Sequence, residues 1–300
     1  MDGSKAQQTL VAFGIASFGI ALFAGMDAVM KGLTLEIGVY NALFWRGLAG
    51  IGISGVAFWI QGPRWPEWTI MKVHLTRGCI SGMLAFLFFW GLSRVPLAQG
   101  TALSFIAPIA SLFLAAFVLG EKIHRKTIIA SIVAFSGVLT IIAGPLYREG
   151  NAETLMGSLA ILAAALCYAW NIVLMRQQAQ MASPQEATFF QSLIMTAVLG
   201  VGSPFLAVVP DQTQIPAILG AAALATGSLM LLSWAYARAE ASYLSATEYT
   251  AFIWASIFGF IFFSETVSLY TLLGAAIIVA GCVLAAQRRP QPRGELEGII

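Results

Sequence analysis

The chain has 300 residues, of which 59% are hydrophobic and 10% are charged, and its formal net charge is +2. Soluble domains carry about 25% charged residues, so these charges are too few to cover such an apolar core in water, and the expected surroundings are a lipid bilayer. The small net charge also excludes the strongly basic surface on which nucleic-acid binding depends.

Ten apolar runs, each near the length of a membrane-spanning helix, follow one another along the chain. A spanning helix needs about 20 mostly apolar residues, and short separators with Gly, Pro and charge, such as "QGPRWPEW" and "GEKIHRK", divide the runs. The first run is too long for the apolar segment of a signal peptide, so it is predicted to be a membrane helix. The predicted spans are 10–33, 38–60, 76–93, 97–119, 127–146, 155–175, 187–209, 214–236, 241–263 and 268–286.

Lysine and arginine are distributed unequally between the two ends of these spans. One side holds Lys31, Arg94 and Arg148, whereas the side with both termini and the loops after spans 2, 4, 6 and 8 holds most of the others. Because positively charged loops stay in the cytoplasm, both termini are predicted to be cytoplasmic and the protein to lie in the inner membrane. The cytoplasmic set is Lys5, Arg64, Lys72, Arg77, Lys122, Arg125, Lys126, Arg176, Arg238, Arg288, Arg289 and Arg293.

The sequence lacks the familiar signatures of catalysis, nucleotide binding and metal binding. It contains no GxxxxGK[ST] phosphate loop, no GxSxG elbow and no HExxH helix. The histidines His74 and His124 are placed in basic loops. Cys79, Cys167 and Cys282 lie inside apolar runs without CxxC spacing, which predicts reduced core residues. We therefore expect no enzyme activity, no metal site and no cofactor.

The two halves of the chain repeat one another. The stretches "WGLSRVPLAQGTALS" at 90–104 and "WAYARAEASYLSATE" at 234–248 align at an offset of 144 residues, and an offset of 145 fits the preceding spans. Chance matches between apolar helices involve Leu, Ala and Gly, whereas Trp, Arg and Glu also match here. The aligned pairs are Trp90 and Trp234, Arg94 and Arg238, Glu121 and Glu265, Gly137 and Gly281, and, at 145, Met30 and Met175, and Lys31 and Arg176.

Each half holds five spans, and because five is odd the second half must cross the bilayer in the opposite direction. The predicted fold is an all-α membrane protein with ten transmembrane helices in two inverted five-helix repeats, residues 10–146 and 155–286, followed by a polar cytoplasmic tail, residues 287–300. Inverted repeats are typical of secondary transporters, in which the two halves enclose a site near the middle of the bilayer and expose it to each side in turn.

The sequence resembles the drug/metabolite transporter superfamily, specifically its EamA-domain branch. The resemblance rests on the Gly-Glu or Ser-Glu step that closes the fourth span of each half, "LGEK" at 119–122 and "FSET" at 263–266, and on the span-5 glycines. The chain is most similar to the YddG-type amino-acid exporters, which implies export of aromatic and other apolar amino acids. "MDAVMKG" at 26–32 with "LFWRG" at 43–47 is similar to a related group that includes carriers of riboflavin or S-adenosylmethionine, so uptake of such a metabolite stays open.

Charged residues within the spans need a reason to be there, since each costs about 2.5–3.5 kcal/mol on insertion. At about 1.5 Å per residue, Asp27 and Arg46 lie roughly 9 and 12 Å below the outer ends of spans 1 and 2, so they are predicted to pair. Lys31, one turn above Asp27, is expected to snorkel outward or to join them. The pair is either a clamp between two spans or a site or gate for a charged substrate.

Spans 4 and 9 carry a second group of candidates. Glu248, in the cytoplasmic half of span 9, can bind an ammonium group, carry a proton or hydrogen-bond to backbone, and its repeat partner is Ser104. Pro108 removes a backbone hydrogen bond near the middle of span 4 and is expected to kink it, which suits either a cavity wall or ordinary packing. Its repeat counterpart is Phe252, so the two halves are expected to differ here.

Aromatic, sulfur-containing and polar side chains complete the predicted substrate cavity. A stripe of methionine and aromatic side chains is typical of helix packing as well as of an apolar pocket, so both interpretations stay open. The candidates are Met83, Phe86, Trp90, Trp170 and Trp234, with Gln99, Thr101, Asn171 and Tyr249 as polar contacts.

The sequence therefore predicts a secondary transporter whose partners are a small-molecule substrate and the bilayer. A membrane-embedded enzyme is disfavoured because no intramembrane histidine or metal-ligand cluster is visible, and a passive channel would differ by its linear, unsaturable flux. Gly78 and Gly82 form a GxxxG pair, which is assigned to packing within one chain before dimerisation, so a monomer is compatible with the sequence.

Overall fold

The fold is built from α-helices throughout the part of the chain that can be described. The computed structural model describes residues 3–60, 62, 65–119, 125–148, 152–179, 181–236, 238 and 247–286. The helices are α1 Gly3–Ile60, α2 Trp68–Leu92, α3 Leu97–Ser104, α4 Ala107–Leu119, α5 Arg125–Arg148, α6 Ala152–Ala179, α7 Pro184–Gly200, α8 Ser203–Leu206, α9 Ile215–Tyr236, α10 Thr250–Phe263 and α11 Leu269–Ala286.

The long first helix, α1, comprises two predicted spans. Gly38 has φ 77° and ψ 157°, a conformation that a residue with a side chain rarely adopts, and it divides α1 into a first arm, residues 3–37, and a second arm, residues 39–60. Four described helices are long and apolar enough to cross a membrane: Leu10–Ile60, Trp68–Leu92, Ala152–Met175 and Ile215–Leu232. Shorter apolar helices are Leu97–Ser111, Ile128–Gly144, Thr250–Phe263 and Leu269–Leu284.

Corresponding helices of the two repeats pack against each other in antiparallel fashion. A Cβ atom on Gly137 of α5 would lie 2.7 Å from the carbonyl oxygen of Gly274 in α11, and one on Gly281 would lie 2.8 Å from that of Ala130. Gly144 lies opposite Tyr270, so residue numbers rise along α5 as they fall along α11. At the offset of 144 residues, Gly281 is the repeat equivalent of Gly137, and Gly274 is the equivalent of Ala130. The first two contacts are therefore equivalent to each other, as an inverted repeat requires.

The remaining helices exchange partners in the same way. The first arm of α1 packs on α9, and its equivalent in the second half, α6, packs on α2, the equivalent of α9. Ala12 and Ala235 belong to one buried cluster in the first interface, and their repeat equivalents, Gly157 and Gly91, meet in the second. The second arm of α1 and α7 also pair. The structure therefore contains two five-helix repeats related by a pseudo-twofold axis, and the predicted fold class is confirmed.

The tryptophan and arginine that occur at equivalent positions of the two repeats adopt the same geometry in both halves. The Arg94 guanidinium carbon lies 3.7 Å from the centre of the Trp90 ring, and that of Arg238 lies 4.1 Å from the Trp234 ring. Each arginine also donates a hydrogen bond to the carbonyl of its tryptophan, four residues earlier. A cation stacked on an indole at a helix end suits an interfacial anchor.

Several details differ from the sequence-based boundaries. Helix α2 begins at Trp68, so His74 and Arg77, expected in a loop and at the cytoplasmic surface, lie within a helix and are buried. Span 4 is divided at Phe105 and Ile106 into α3 and α4. The predicted tail 287–300 and several loop residues lie outside the described residues, among them Arg64, Glu121, Lys122 and His124.

Candidate functional site

A buried lysine and a glutamate join helices at the end of the bundle that is predicted to face outward. Lys31, 4% exposed in the first arm of α1, forms an ion pair with Glu265 and donates a hydrogen bond to the Val95 carbonyl at 2.6 Å. The other Glu265 oxygen accepts the backbone N–H of Leu97 at 2.7 Å, at the N-terminus of α3, where a negative charge is favourable. The sequence predicted that Lys31 would snorkel outward or join Asp27 and Arg46. In the structure it does neither, because it pairs with Glu265.

The Ser-Glu step of the second half explains how Glu265 reaches that position. Ser264 has φ 54° and ψ 28°, the left-handed conformation that ends many helices, and it follows the last residue of α10. The Glu265 backbone N–H returns to the Gly259 carbonyl at 3.1 Å. The chain turns sharply here, which directs the carboxylate toward α3 and the first arm of α1.

Asp27 and Arg46 form a second, deeper group between the two arms of α1. Asp27 is 8% exposed, and it interacts electrostatically with Arg46, but no ion pair within 4.0 Å joins them. Among the described residues, the Arg46 Nη1 donates only to the Met26 sulfur at 3.6 Å, and its Nε has no hydrogen-bond partner. The guanidinium carbon lies 6.0 Å from the centre of the Phe89 ring. This is an incompletely satisfied pair of opposite charges in the interior.

Spans 4 and 9 are both interrupted where their repeat equivalents meet. Phe105 ends α3, and Tyr249, 144 residues later, precedes α10; their rings lie 5.5 Å apart at an interplanar angle of 87°. The Phe105 carbonyl accepts a hydrogen bond from the Cys282 thiol at 3.2 Å. The expected kink near Pro108 is present, but Phe252 does not make span 9 continuous, so the two halves are more alike than the sequence suggested.

Arg77 is the centre of a polar group on the N-terminal half of α2, which is predicted to be cytoplasmic. Its Nε donates to the Asn171 Oδ1 of α6 at 3.2 Å, and its Nη1 donates to the Gln178 Oε1. Ser81, one turn along α2, shares the Asn171 oxygen at 3.5 Å. Arg77 is 9% exposed, and Asn171, Gln178 and Ser81 are buried as well. The group connects α2 with α6 through bonds of defined direction.

A histidine and a glutamate extend this group toward the N-terminal end of α7. His74 is 0% exposed, and its Nε2 lies 3.0 Å from a carboxylate oxygen of Glu186. The Gln178 Nε2 lies 2.5 Å from the His74 Nδ1. An amide nitrogen is only a donor, so Nδ1 accepts and Nε2 carries the proton that is donated to Glu186. His74 also stacks on Phe190, with ring centres 4.8 Å apart.

Two ionisable side chains lie between this group and the broken helices. Tyr168 of α6 interacts electrostatically with both Arg77 and Glu248. Tyr168 keeps 43% of its surface accessible. Glu248 is exposed and also interacts electrostatically with Tyr249 and Cys282. Glu248 therefore lies within electrostatic range of Tyr168 and Tyr249, whereas Asp27 and Arg46 form a separate group.

Other predicted cavity residues lie elsewhere. Met83, 53% exposed, and Phe86 line a shallow groove of about 280 Å³ between α2 and α7. Gln99 donates to the Ser158 hydroxyl at 3.1 Å, which ties α3 to α6. The remaining positions make contacts within their own helix or face outward: Thr101 and Ser104 bond to backbone carbonyls four residues earlier, Trp90 and Trp234 stack on arginines, and Trp170 is exposed.

The sequence-based prediction did not include His74, Arg77 and Ser81 in the candidate site, although a pattern in the sequence could have indicated them. His74, Arg77 and Ser81 are spaced three and four apart, which places them on one face of a helix once α2 is known to begin at Trp68. Gly78 and Gly82 of the same helix pack against Ile194 and Met195 of α7, which accounts for that GxxxG pair within one chain. Among the described residues, no group of three His, Cys, Asp or Glu could hold a metal ion.

Comparison with known proteins agrees with this architecture. The sequence model of the EamA-like transporter family matches residues 11–143 and again 155–287. The pseudopaline exporter CntI of Pseudomonas aeruginosa is 24% identical over 92% of this chain and 94% of its own. The S-adenosylmethionine uptake transporter of Rickettsia bellii is 28% identical over 69% of each chain. A solved crystal structure with 18% identity superposes with a TM-score of 0.59 over 93% of this chain and 96% of its own, which shows the same fold.

Proposed function

The chain belongs to the EamA-like transporter family, and on this premise we propose that it is a secondary transporter that exports small amino-acid-type zwitterions, including aromatic and apolar ones. Its setting is the inner membrane, with both termini in the cytoplasm, as the distribution of lysine and arginine predicts. The two inverted repeats support alternating access, because equivalent walls in each half can open toward opposite sides of the bilayer.

The observation that carries this proposal is the incompletely paired Asp27 and Arg46. Two opposite charges that approach without an ion pair within 4.0 Å offer separate sites for the two ends of a zwitterion. Arg46 can bind an α-carboxylate in bidentate fashion, and Asp27 can bind an α-ammonium group. When substrate binds, its opposite charges would compensate the buried charges of Asp27 and Arg46. This gives a reason to retain both charges in a membrane span.

Phe89 and the buried Met26 give this site an apolar side. The Phe89 ring lies beside the Arg46 guanidinium, and Met26 contacts it through sulfur. A methionine and an aromatic ring can accommodate apolar side chains of varied shape without polar specificity. This composition favours a transporter that recognises the zwitterionic backbone strictly and the side chain loosely.

Uptake of S-adenosylmethionine or riboflavin is the second candidate function. It is favoured by the relative from Rickettsia bellii, whose name assigns it uptake of S-adenosylmethionine. S-adenosylmethionine carries the same amino-acid zwitterion, so Asp27 and Arg46 would serve it equally well. Riboflavin carries no such zwitterion and would not depend on the two charges in this way.

The test is transport by the purified protein in sealed proteoliposomes. Labelled phenylalanine, methionine, threonine, S-adenosylmethionine and riboflavin are compared, each with competition by unlabelled substrate. We expect saturable transport of the amino acids, and a loss of at least tenfold in Asp27→Asn, Arg46→Gln and the double variant. Asp211→Asn and Arg125→Gln, which change exposed charges, serve as matched controls.

Thermal unfolding of each variant in detergent separates loss of function from loss of fold. Normal amino-acid transport by the folded Asp27→Asn, Arg46→Gln double variant would overturn the proposed site. Saturable transport of riboflavin without amino-acid transport would favour the second candidate function. Linear flux without competition would contradict a carrier altogether.

A further inference from the structure

Arg77 is a buried cation for which the described structure provides no anion in direct contact. It lies nine residues into α2, about 13 Å along the helix axis from Trp68, and is 9% exposed. Among the described residues, Lys31 forms an ion pair with Glu265 and the His74 ring hydrogen-bonds to the Glu186 carboxylate, and neither contact includes Arg77. A charge at such a position is costly unless a partner or a function accounts for it.

The two direct partners of Arg77 are neutral amides. Asn171 accepts from Nε and Gln178 accepts from Nη1, and each supplies a carbonyl oxygen without a negative charge. These bonds satisfy part of the guanidinium, but they leave its positive charge in place. Glu186 is reached only through Gln178 and His74, two side chains away.

This arrangement fixes the orientation of the guanidinium. The amide nitrogen of Gln178 is committed to the His74 Nδ1, so its oxygen must face Arg77. His74 is in turn held by Glu186 and by stacking on Phe190. Among the described residues, Nη2 makes no hydrogen bond, so its two N–H donors are left for another acceptor. A guanidinium whose Nε and Nη1 are held in place is suited to bind a carboxylate through its remaining donors.

Two hydroxyl-bearing side chains lie in the surroundings of that cation. Tyr168 interacts electrostatically with Arg77 and with Glu248, and 43% of its surface is accessible. Tyr168 and Ser81 add hydroxyl groups to the same region, one on each of the two helices that Arg77 connects.

The repeat relates the residues that contact Arg77 and Arg46, although the two arginines are not themselves repeat equivalents. Asn171, which holds Arg77, is 145 residues after Met26, the residue that Arg46 contacts. The first helix of each half thus meets an arginine at an equivalent position. In an inverted repeat these positions lie on opposite sides of the bilayer middle. Met26 lies 11 residues before the end of the first arm and Asn171 lies eight residues before the end of α6, or roughly 16 and 12 Å along the helices.

We propose that Arg77 is a second carboxylate-binding residue of the transport path, on the cytoplasmic side, and that Asn171, Gln178 and His74 position it. Its ligand is the α-carboxylate of the same amino-acid-type substrate that Arg46 receives on the outer side. This inference rests on the proposed function. It adds that the substrate carboxylate has a binding residue in each half of the bilayer.

The experiment measures transport from each face of oriented proteoliposomes, with phenylalanine and with phenylalaninamide, which lacks the carboxylate. In Arg77→Gln we expect the KM for phenylalanine presented at the cytoplasmic face to rise at least tenfold, with less than a threefold change at the outer face. The KM for the amide should change less than threefold. Arg46→Gln should show the opposite sidedness. Lys72→Gln, on an exposed face of the same helix, is the matched control.

Arg77→Lys keeps the charge and tests the need for a planar guanidinium if Arg77→Gln fails to fold. We expect it to lower the ratio of carboxylate to amide transport at the cytoplasmic face at least threefold. Gln178→Ala, which removes a positioning contact, should lower the same ratio, and Gln178→Glu, whose carboxylate would neutralise the guanidinium, should lower it as well. An unchanged ratio in folded Arg77→Lys would overturn the inference while leaving the proposed function intact. Absence of phenylalanine transport by the unaltered protein would overturn the proposed function itself.

Discussion

Phe105 and Tyr249 occupy equivalent positions in the two repeats, and their rings meet edge to face with centres 5.5 Å apart. Each lies at an interruption of its span, and the ring contact brings the two interruptions together. Two broken helices that meet across a pseudo-twofold axis are the arrangement from which transporters build a central site. The interruption belongs to the repeat, since one half carries Pro108 nearby and the other carries Phe252.

Pro108 is therefore expected to be dispensable for the break in span 4. In Pro108→Ala the Phe105 carbonyl still accepts from Cys282, and the contact with Tyr249 is unchanged. We expect the transport rate to stay within threefold of the unaltered protein. Tyr249→Ala, which removes the aromatic contact, should lower both rate and thermal stability. A loss of transport in folded Pro108→Ala of more than tenfold would show that the proline itself makes the break.

Breaking the ion pair between Lys31 and Glu265 should strongly destabilise the fold. Removing one partner of a buried pair costs about 3–5 kcal/mol, because the other charge stays buried without compensation. Glu265→Gln also weakens the anionic interaction at the N-terminus of α3, so we expect it to be at least as harmful as Lys31→Met. The double variant should recover part of the loss. Thermal unfolding of the three variants measures this, and additive losses would contradict a direct pair.

The contact of α5 with α11 should tolerate no side chain at its two equivalent glycines. In Gly137→Ala and Gly281→Ala the new Cβ would lie within 3 Å of backbone atoms, and overpacking of this kind typically costs about 1–3 kcal/mol. Gly220→Ala is the matched control, since nothing lies within 4 Å of its Cβ position. We expect both first variants to unfold at lower temperature and the control to be unchanged. Equal stability of all three would refute the close antiparallel packing.

Glu248 is expected to influence transport through its charge. It interacts electrostatically with Tyr168, Tyr249 and Cys282. Glu248→Gln removes the titrating carboxyl while keeping its shape, so we expect slower transport and a flatter dependence of rate on pH. The measurement is the initial rate in proteoliposomes across the range in which carboxyl groups titrate. A pH profile identical to that of the unaltered protein would exclude Glu248 as a proton carrier.

Much of the fold could be predicted from the sequence because its causes are local or repeated. The apolar runs, the offset of 144 residues and the matched Trp90 and Trp234 each leave a mark in the chain itself. The break at Tyr249 leaves no such mark, because no proline accompanies it. It became visible only where the span meets its repeat equivalent.

The polar interior was predicted less completely, for a physical reason. Charge patterning assigned Arg77 and Lys31 to the two surfaces, since most arginine and lysine residues near helix ends reach water. Both are instead buried by partners distant in sequence, Asn171 and Gln178 for Arg77 and Glu265 for Lys31. Only tertiary packing brings such partners together. Spacing along α2 could show that His74 and Arg77 share a face, but not that the face meets α6.

Substrate counterflow tests the central claim of alternating access most directly. Proteoliposomes are loaded with unlabelled phenylalanine and diluted into a trace of labelled phenylalanine. A carrier whose site faces one side at a time exchanges one molecule for another. We therefore predict that labelled phenylalanine accumulates transiently above its equilibrium level, and that saturating outside substrate abolishes this. Entry at the same rate into loaded and empty vesicles, rising linearly with concentration, would contradict the account.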